Sequence, residues 1–345
     1  MDETSSILRV LHKIATWTSR FQVFLSFVGV LLNLFHFYIL TRKSMRCNAT
    51  NVILIGIAIS DLLFLTYYVQ GGVEDLIYFG IDSECIPSKS YSAILLHWTI
   101  SVLRDVFRRL SAWLGVFLAL QRALLIKYAT NRRLSFLLKT STSWRVICYS
   151  LMVSCVVSSL NWAKLEIIQY VPWIPPEHCN YPVNTTFPQF ELNQARWLGG
   201  YSVLMFQAFI LIDGGLKLAP PLFYPFLAGI LVFEWKKAKK RRRELGGAEE
   251  KDRVTLLVIY MTVIYFLSET PVGLSYWLQF WYFEDGDAYL IINYFAVLFI
   301  TILLMSTSSH CVVCFFLTSQ YRQIVGWTFG CTGRTVWIGN VGIVR

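Results

Sequence analysis

The chain has 345 residues, 55% of them hydrophobic and 15% charged, with a formal net charge of +10 and a mean hydropathy of +0.51. A soluble domain needs a charged surface, so this composition excludes a soluble globular protein and indicates a polytopic membrane protein, an all-α bundle of seven helices. The positive charge and the basic run at 236–243 require no nucleic acid; they read as a loop facing the inner leaflet or a partner.

Apolar runs cover residues 21–40, 52–69, 92–126, 146–163, 216–233, 254–280 and 289–317, each near or above the roughly 20 residues that cross a bilayer. Residues 1–20 read as an N-terminal segment outside the membrane. The first run lacks the short apolar region and small-residue cleavage site of a signal peptide, and is expected to serve as signal and anchor together. It carries Asn33. The second run holds Asp61 with no Lys or Arg between 52 and 69. Burying a carboxylate at mid-bilayer costs roughly 2.5–3.5 kcal/mol, which makes Asp61 a functional-site hypothesis.

The third run carries Ser111 and the charges Arg104, Asp105, Arg108, Arg109 and Arg122. At 100° and 1.5 Å per residue, Arg104 and Arg122 share one face about 27 Å apart, near opposite edges of the membrane. Arg108 is harder to hydrate and needs an anion: Asp105, Asp213, Glu269 or an acidic ligand, with internal pairing favoured. Asp105 and Arg109, four apart, are expected to pair within their helix. The stretch 201–233 is too long for one ordinary span and too short for two. Asp213, Gly214, Gly215, Lys217, Pro220 and Pro221 interrupt it, so 201–212 reads as an apolar lead-in or a helix extension, with an eighth span as the third option. In the sixth run, Glu269-Thr270-Pro271 sets a buried acid beside a helix-bending proline. The seventh carries Thr307 and His310, and together with Asn33, Asp61 and Ser111 these read as a connected polar core or as separate packing devices. Cys311 and Cys314 form a C-x-x-C without a second pair, which argues against zinc. A short amphipathic eighth helix and a tail complete the chain over 319–345, after a helical domain at 21–318.

Placing the N-terminus outside puts twenty Lys and Arg in inner loops and tail, against six outside (Arg9, Lys13, Arg20, Lys89, Lys164 and Arg196). The positive-inside rule therefore predicts a multi-pass protein with its N-terminus extracellular and its C-terminus cytoplasmic. Cys85 and Cys179 then lie in oxidising outer loops and are expected to form a disulfide; the other reading is two free thiols. The sequon at Asn184 lies outside and can be glycosylated, whereas the one at Asn48 lies inside.

Taken together, these residues resemble the rhodopsin-like G-protein-coupled receptors. Asn33, Asn51, Leu54, Ala58, Ser60 and Asp61 match that family's first two helices, with Asp61 and Ser111 as its sodium-site pair. Gln121-Arg122-Ala123 stands at its G-protein-coupling switch, and Pro225 and Pro271 at its helix kinks. More narrowly, Asn33-Leu-Phe-His36, Phe107-Arg-Arg-Leu-Ser-Ala-Trp-Leu-Gly115 and Ser308-Ser-His-Cys-Val-Val-Cys-Phe-Phe-Leu-Thr-Ser-Gln-Tyr-Arg322 resemble the nematode serpentine receptor class W, itself similar to FMRFamide-like peptide receptors. The resemblance implies a plasma-membrane receptor for an extracellular peptide or small molecule, signalling through a heterotrimeric G protein. Arg104, Arg108, Glu269 and Trp277 are its ligand-pocket candidates. The aromatic residues Trp173, Tyr276, Trp277, Trp281 and Tyr282 either stack on a ligand or form an interfacial belt.

The chain departs from the wider family at His310 and Cys311, which replace Asn-Pro, at Cys314 for tyrosine, at Gln121 for an acid and at Glu269 for tryptophan. No cofactor is expected. Sodium near Asp61 is what the resemblance suggests, and an imidazole at 310 that bonds Asp61 directly would displace it. A transporter, channel or intramembrane enzyme is the rival class; no catalytic motif, paired intramembrane aspartates or repeated half supports an enzyme or transporter.

Overall fold

The computed structural model describes residues 2–78, 80–128, 136–182, 184–244, 253–282 and 285–330. Its seven long apolar helices pack as a bundle: α1 (Asp2–Leu40), α3 (Ala49–Ile77), α4 (Tyr91–Lys127), α5 (Thr140–Ala163), α6 (Ser202–Glu244), α7 (Arg253–Trp281) and α8 (Gly286–Leu317). The short α2 (Lys43–Arg46) links α1 to α3, and α9 (Ser319–Thr328) follows α8. Side-chain caps start three of the long helices: Asn48, Ser90 and Asp285 accept from the backbone N–H groups of Thr50, Ala93 and Ala288.

Two helices extend furthest beyond their apolar runs. α1 begins at Asp2, so the expected outer segment 1–20 is, from Asp2 on, an extension of the first helix. No proline or glycine precedes Gly29, and nothing in the backbone chemistry stops the helix earlier. α6 runs unbroken for 43 residues with Pro220, Pro221 and Pro225 inside it. The helix extension is therefore the reading that holds for 201–212. The six residues thought to interrupt this run lie within the helix and serve packing and pairing. A Cβ on Gly273 would stand 3.1 Å from the Lys217 carbonyl and one on Gly214 would stand 3.5 Å from the Tyr276 carbonyl, so α6 and α7 approach backbone to backbone here.

At one end of the bundle, β1 (Leu165–Gln169) and β2 (Phe190–Gln194) pair antiparallel, with Leu165 opposite Gln194 and Gln169 opposite Phe190. This ladder was not expected, although Phe190 and Leu192 alternate with polar residues as strands do. The Cys85–Cys179 disulfide ties the segment between the strands to the α3–α4 connection, and Tyr181 donates its hydroxyl to the Cys85 carbonyl at 3.1 Å. Asn184 is exposed beside it, in a left-handed turn that asparagine tolerates.

At the opposite end, α9 is held by two buried side chains, Tyr321 and Ile324. The Tyr321 hydroxyl lies 3.0 Å from His36 Nδ1 on α1 and 3.4 Å from Cys311 Sγ on α8, and burial pushes this phenol well above its usual pKa. Residues 331–345, with Arg334 and Arg345, and Arg132, Arg133 and Lys251 of the inner basic loops, lie outside the described residues.

Candidate functional site

Seven charged side chains from three helices meet inside the bundle, toward the disulfide end. Arg108 Nη2 on α4 lies 3.0 Å from Glu269 Oε2 on α7. Arg109 donates to Asp213 Oδ1 on α6 at 2.5 Å, and its other terminal nitrogen reaches the Ser154 carbonyl and the Ser158 hydroxyl on α5. Lys217 Nζ sits 2.6 Å from Asp213 Oδ2 and 3.6 Å from Asp105 Oδ1. Arg104 reaches that same Asp105 oxygen at 3.3 Å and lies over the Tyr67 ring of α3, 4.3 Å from its centroid. The face of Tyr276 carries Lys217 at 3.9 Å and Arg108 at 5.5 Å.

This geometry corrects one expectation. Asp105 and Arg109 do not pair within α4, because Arg109 turns toward Asp213 while Asp105 serves Arg104 and Lys217. Helix spacing permits the i,i+4 pair, but buried tertiary partners offer shorter contacts with less solvent competition. The internal anion for Arg108 is Glu269, as the preference for internal pairing anticipated. Lys217, read in sequence as an interruption of the apolar run, is the cation that links both aspartates; its i,i+4 spacing from Asp213 was the available signal.

Deeper along α4, three residues on from Arg108, Ser111 donates to Asp61 Oδ1 at 2.8 Å, while His310 Nδ1 on α8 lies 2.7 Å from Asp61 Oδ2. The Tyr265 hydroxyl on α7 is 3.3 Å from Ser111 Oγ, and its ring packs on His310 and stacks on Tyr224 of α6. Tyr224 in turn donates to the Ala112 carbonyl at 2.6 Å. Gly115 makes room for this stack, since a Cβ there would stand 2.7 Å from the Tyr224 hydroxyl. Five helices thus meet at one carboxylate. Tyr224 and Tyr265 gave no sequence signal, because a tyrosine in an apolar helix reads as ordinary core.

Asn33 and Thr307 do not join the clasp. Asn33 Nδ2 donates to the Gly29 and Thr307 carbonyls, and the Thr307 hydroxyl bonds back to Leu303 in its own helix. They form a second lock, between α1 and α8. Each Asp61 oxygen is already engaged by a donor, and the imidazole occupies one side.

Arg122 and Gln121 part company near the far end of α4. Arg122 Nε donates to Thr255 Oγ1 on α7 at 3.0 Å, whereas Gln121 Nε2 donates to the Leu137 carbonyl before α5. Trp277 is half-buried and packs edge-on against Trp281. An open cavity of about 440 Å³ lies under the hairpin, lined by Lys89, His97, Trp173 and Phe190 among others. None of Arg104, Arg108, Glu269 or Trp277 lines it. Beside the hairpin, the Lys164 ammonium lies 4.3 Å from the Phe209 ring centroid, and burial lowers its pKa to about 8.

The model of the serpentine type 7TM GPCR chemoreceptor family Srw matches residues 20–332 of this bundle. The chain belongs to the Srw family. No curated protein matches it. Membership makes this Srw chain a seven-helix receptor of GPCR type in a family of chemoreceptors, not of enzymes. The family match covers α1 from Arg20 on, the other six long helices, the disulfide and α9.

Two outcomes test the site. Glu269→Gln strands Arg108 in the bundle and should cost about 3–5 kcal/mol, read as a lower melting temperature in detergent. The double variant Arg108→Met/Glu269→Met should recover much of that loss; a double variant no more stable than the single one would show the pair is not coupled. Exchanging sodium for choline at constant chloride should leave the receptor's melting temperature unchanged, and a sodium-dependent rise that disappears in Asp61→Asn would contradict the closed clasp.

Proposed function

We propose that this chain is a plasma-membrane receptor that takes an extracellular peptide or small-molecule ligand at its disulfide end and activates a heterotrimeric G protein at the α9 end. The positive-inside count supports that orientation. The observation that carries the reading is the direct linkage of α7 to α4 at three depths: Arg108–Glu269, Ser111–Tyr265 and Arg122–Thr255. Glu269 sits two residues from Pro271, where the missing backbone N–H makes α7 easiest to bend.

A ligand that binds one arrangement of the ion network better than another shifts the bundle toward it. Exchange of partners at Glu269 swings α7 about Pro271, with Pro225 allowing α6 to follow. The swing separates Thr255 from Arg122 and opens a cytoplasmic cavity for the G protein. Gln121, tethered to Leu137, keeps the loop before α5 in place while Arg122 is released. The Asp61–His310 clasp holds α3 and α8 together through the change and gives the far half of α4 a fixed reference.

Arg122→Ala should abolish ligand-stimulated nucleotide exchange on a co-reconstituted G protein while surface expression stays close to wild type; unchanged exchange would remove Arg122 from the mechanism. For orientation, glycosidase treatment should shift the gel mobility of the wild-type chain and leave Asn184→Gln unaffected. Modification at Asn48 instead would invert the receptor.

A further inference from the structure

The buried network is not electrically closed. Arg104, Arg108, Arg109 and Lys217 face Asp105, Asp213 and Glu269, one more cation than carboxylate among the described residues. Arg108 has Glu269 to itself, and Arg109 and Lys217 hold the two oxygens of Asp213. Arg104 is left with one long contact, to an oxygen it shares with Lys217. Glu74, nearer the mouth, is already matched by Lys89 at 2.5 Å. The surplus is shared along Arg104, Asp105, Lys217, Asp213 and Arg109, and Arg104 is the cation at the end of that chain whose one carboxylate contact is longest.

Arg104 is also the member of the network that solvent reaches most, its side chain 19% exposed against 5% or less for Arg108, Arg109 and Lys217. Its guanidinium lies over Tyr67, 4.3 Å from the ring centroid, and this contact holds the planar fork. Tyr68 of α3 packs edge-on against Tyr67, 5.2 Å between ring centroids, and Tyr276 of α7 carries Lys217 and Arg108 on its face, so both rings border Arg104's side of the network, and among the described residues neither hydroxyl has a hydrogen-bond partner. Tyr67 packs on His97, which lines the cavity beneath the hairpin, so Arg104 lies on the inner side of that opening. An oriented guanidinium, two free phenol donors and an unmatched positive charge together suit a planar anion.

We propose that Arg104, with the hydroxyls of Tyr68 and Tyr276, binds a carboxylate of the receptor's ligand. The proposal rests on the disulfide end being the ligand face and extends that reading to the ligand's chemistry: a peptide or small organic molecule with an acid group, not a neutral or cationic one. Docking of the carboxylate closes the charge of the network and loosens Asp105 from Arg104, so ligand binding bears on the ion pairs that join α4 to α6.

The test uses the purified full-length receptor in lipid nanodiscs and needs no G protein, so its result stands apart from failure of the coupling reading. Melting temperatures are measured against increasing N-acetylphenylalanine and, separately, N-acetylphenylalanine amide, at constant ionic strength and with chloride replaced by gluconate. The acid should stabilise the receptor in a saturating manner and the amide should not, because ligand that binds only the native state raises its stability. Arg104→Gln should weaken the acid's apparent affinity roughly tenfold or more, as expected for a hydrogen bond to a charged group. Tyr68→Phe and Tyr276→Phe, which remove only a hydroxyl, should each weaken it severalfold, and they carry the test if Arg104→Gln fails to fold. Equal shifts from acid and amide, no shift from the acid, or full retention of the shift in these variants would overturn the proposal. So would stabilisation by chloride alone that the acid does not add to, which would make this a site for a small inorganic anion.

Discussion

Charges inside a membrane bundle cannot be left to water, and the arrangement of α4, α6 and α7 follows from that constraint. Arg108 and Arg109 are adjacent on α4 and point to different neighbours, one to Glu269 and the other to Asp213. Their divergence fixes how α4 is rotated against both helices at once. Lys217 then bridges Asp213 to Asp105, so α6 is bound to α4 twice and cannot slide without exposing a charge. At Gly214 and Gly273 α6 and α7 approach backbone to backbone, in the stretch where α6 carries Asp213 and Lys217 and α7 carries Glu269.

The Asp61 clasp answers the same constraint with different chemistry. One carboxylate is engaged by a hydroxyl and an imidazole, each from a different helix. Tyr265 connects the clasp to α7 and Tyr224 connects it to α6. The ion network and the clasp are thereby joined through α4 over a single helical turn, from Arg108 to Ser111. In the proposed mechanism this short path carries a change at the ligand end toward Arg122 without a long chain of intermediates.

The Srw family match and the network bear on each other. Glu269 stands where the wider receptor family carries a tryptophan, and here it is one half of a buried ion pair. The replacement is not an isolated loss of an aromatic switch, since Arg108 supplies the charge that makes a buried acid tolerable. His310 is similar: with Cys311 it stands where the resemblance implies an Asn-Pro pair, and it takes up Asp61 directly. α8 accordingly continues to Leu317, and Tyr321 on α9 provides the tyrosine contact with α1 and α8 from outside the span.

The sequence by itself determined seven spans, a disulfide between Cys85 and Cys179, and the fact that Asp61, Arg108 and Glu269 each needed a partner. Those conclusions rest on local quantities: the length of an apolar run, and the cost of one charge in that run. Periodicity along α4 also placed Arg104 and Arg122 on one face. Only the tertiary structure decided which groups meet. Arg109 leaves Asp105, four residues away, for Asp213, 104 positions on, and Asp61 finds His310 across 249. Asn33 and Thr307 sit at matching depth yet bond each other's neighbourhood and miss the clasp. Partner choice depends on the rotation and axial offset between helices, and no single helix's sequence encodes either; the balance over all buried polar groups does.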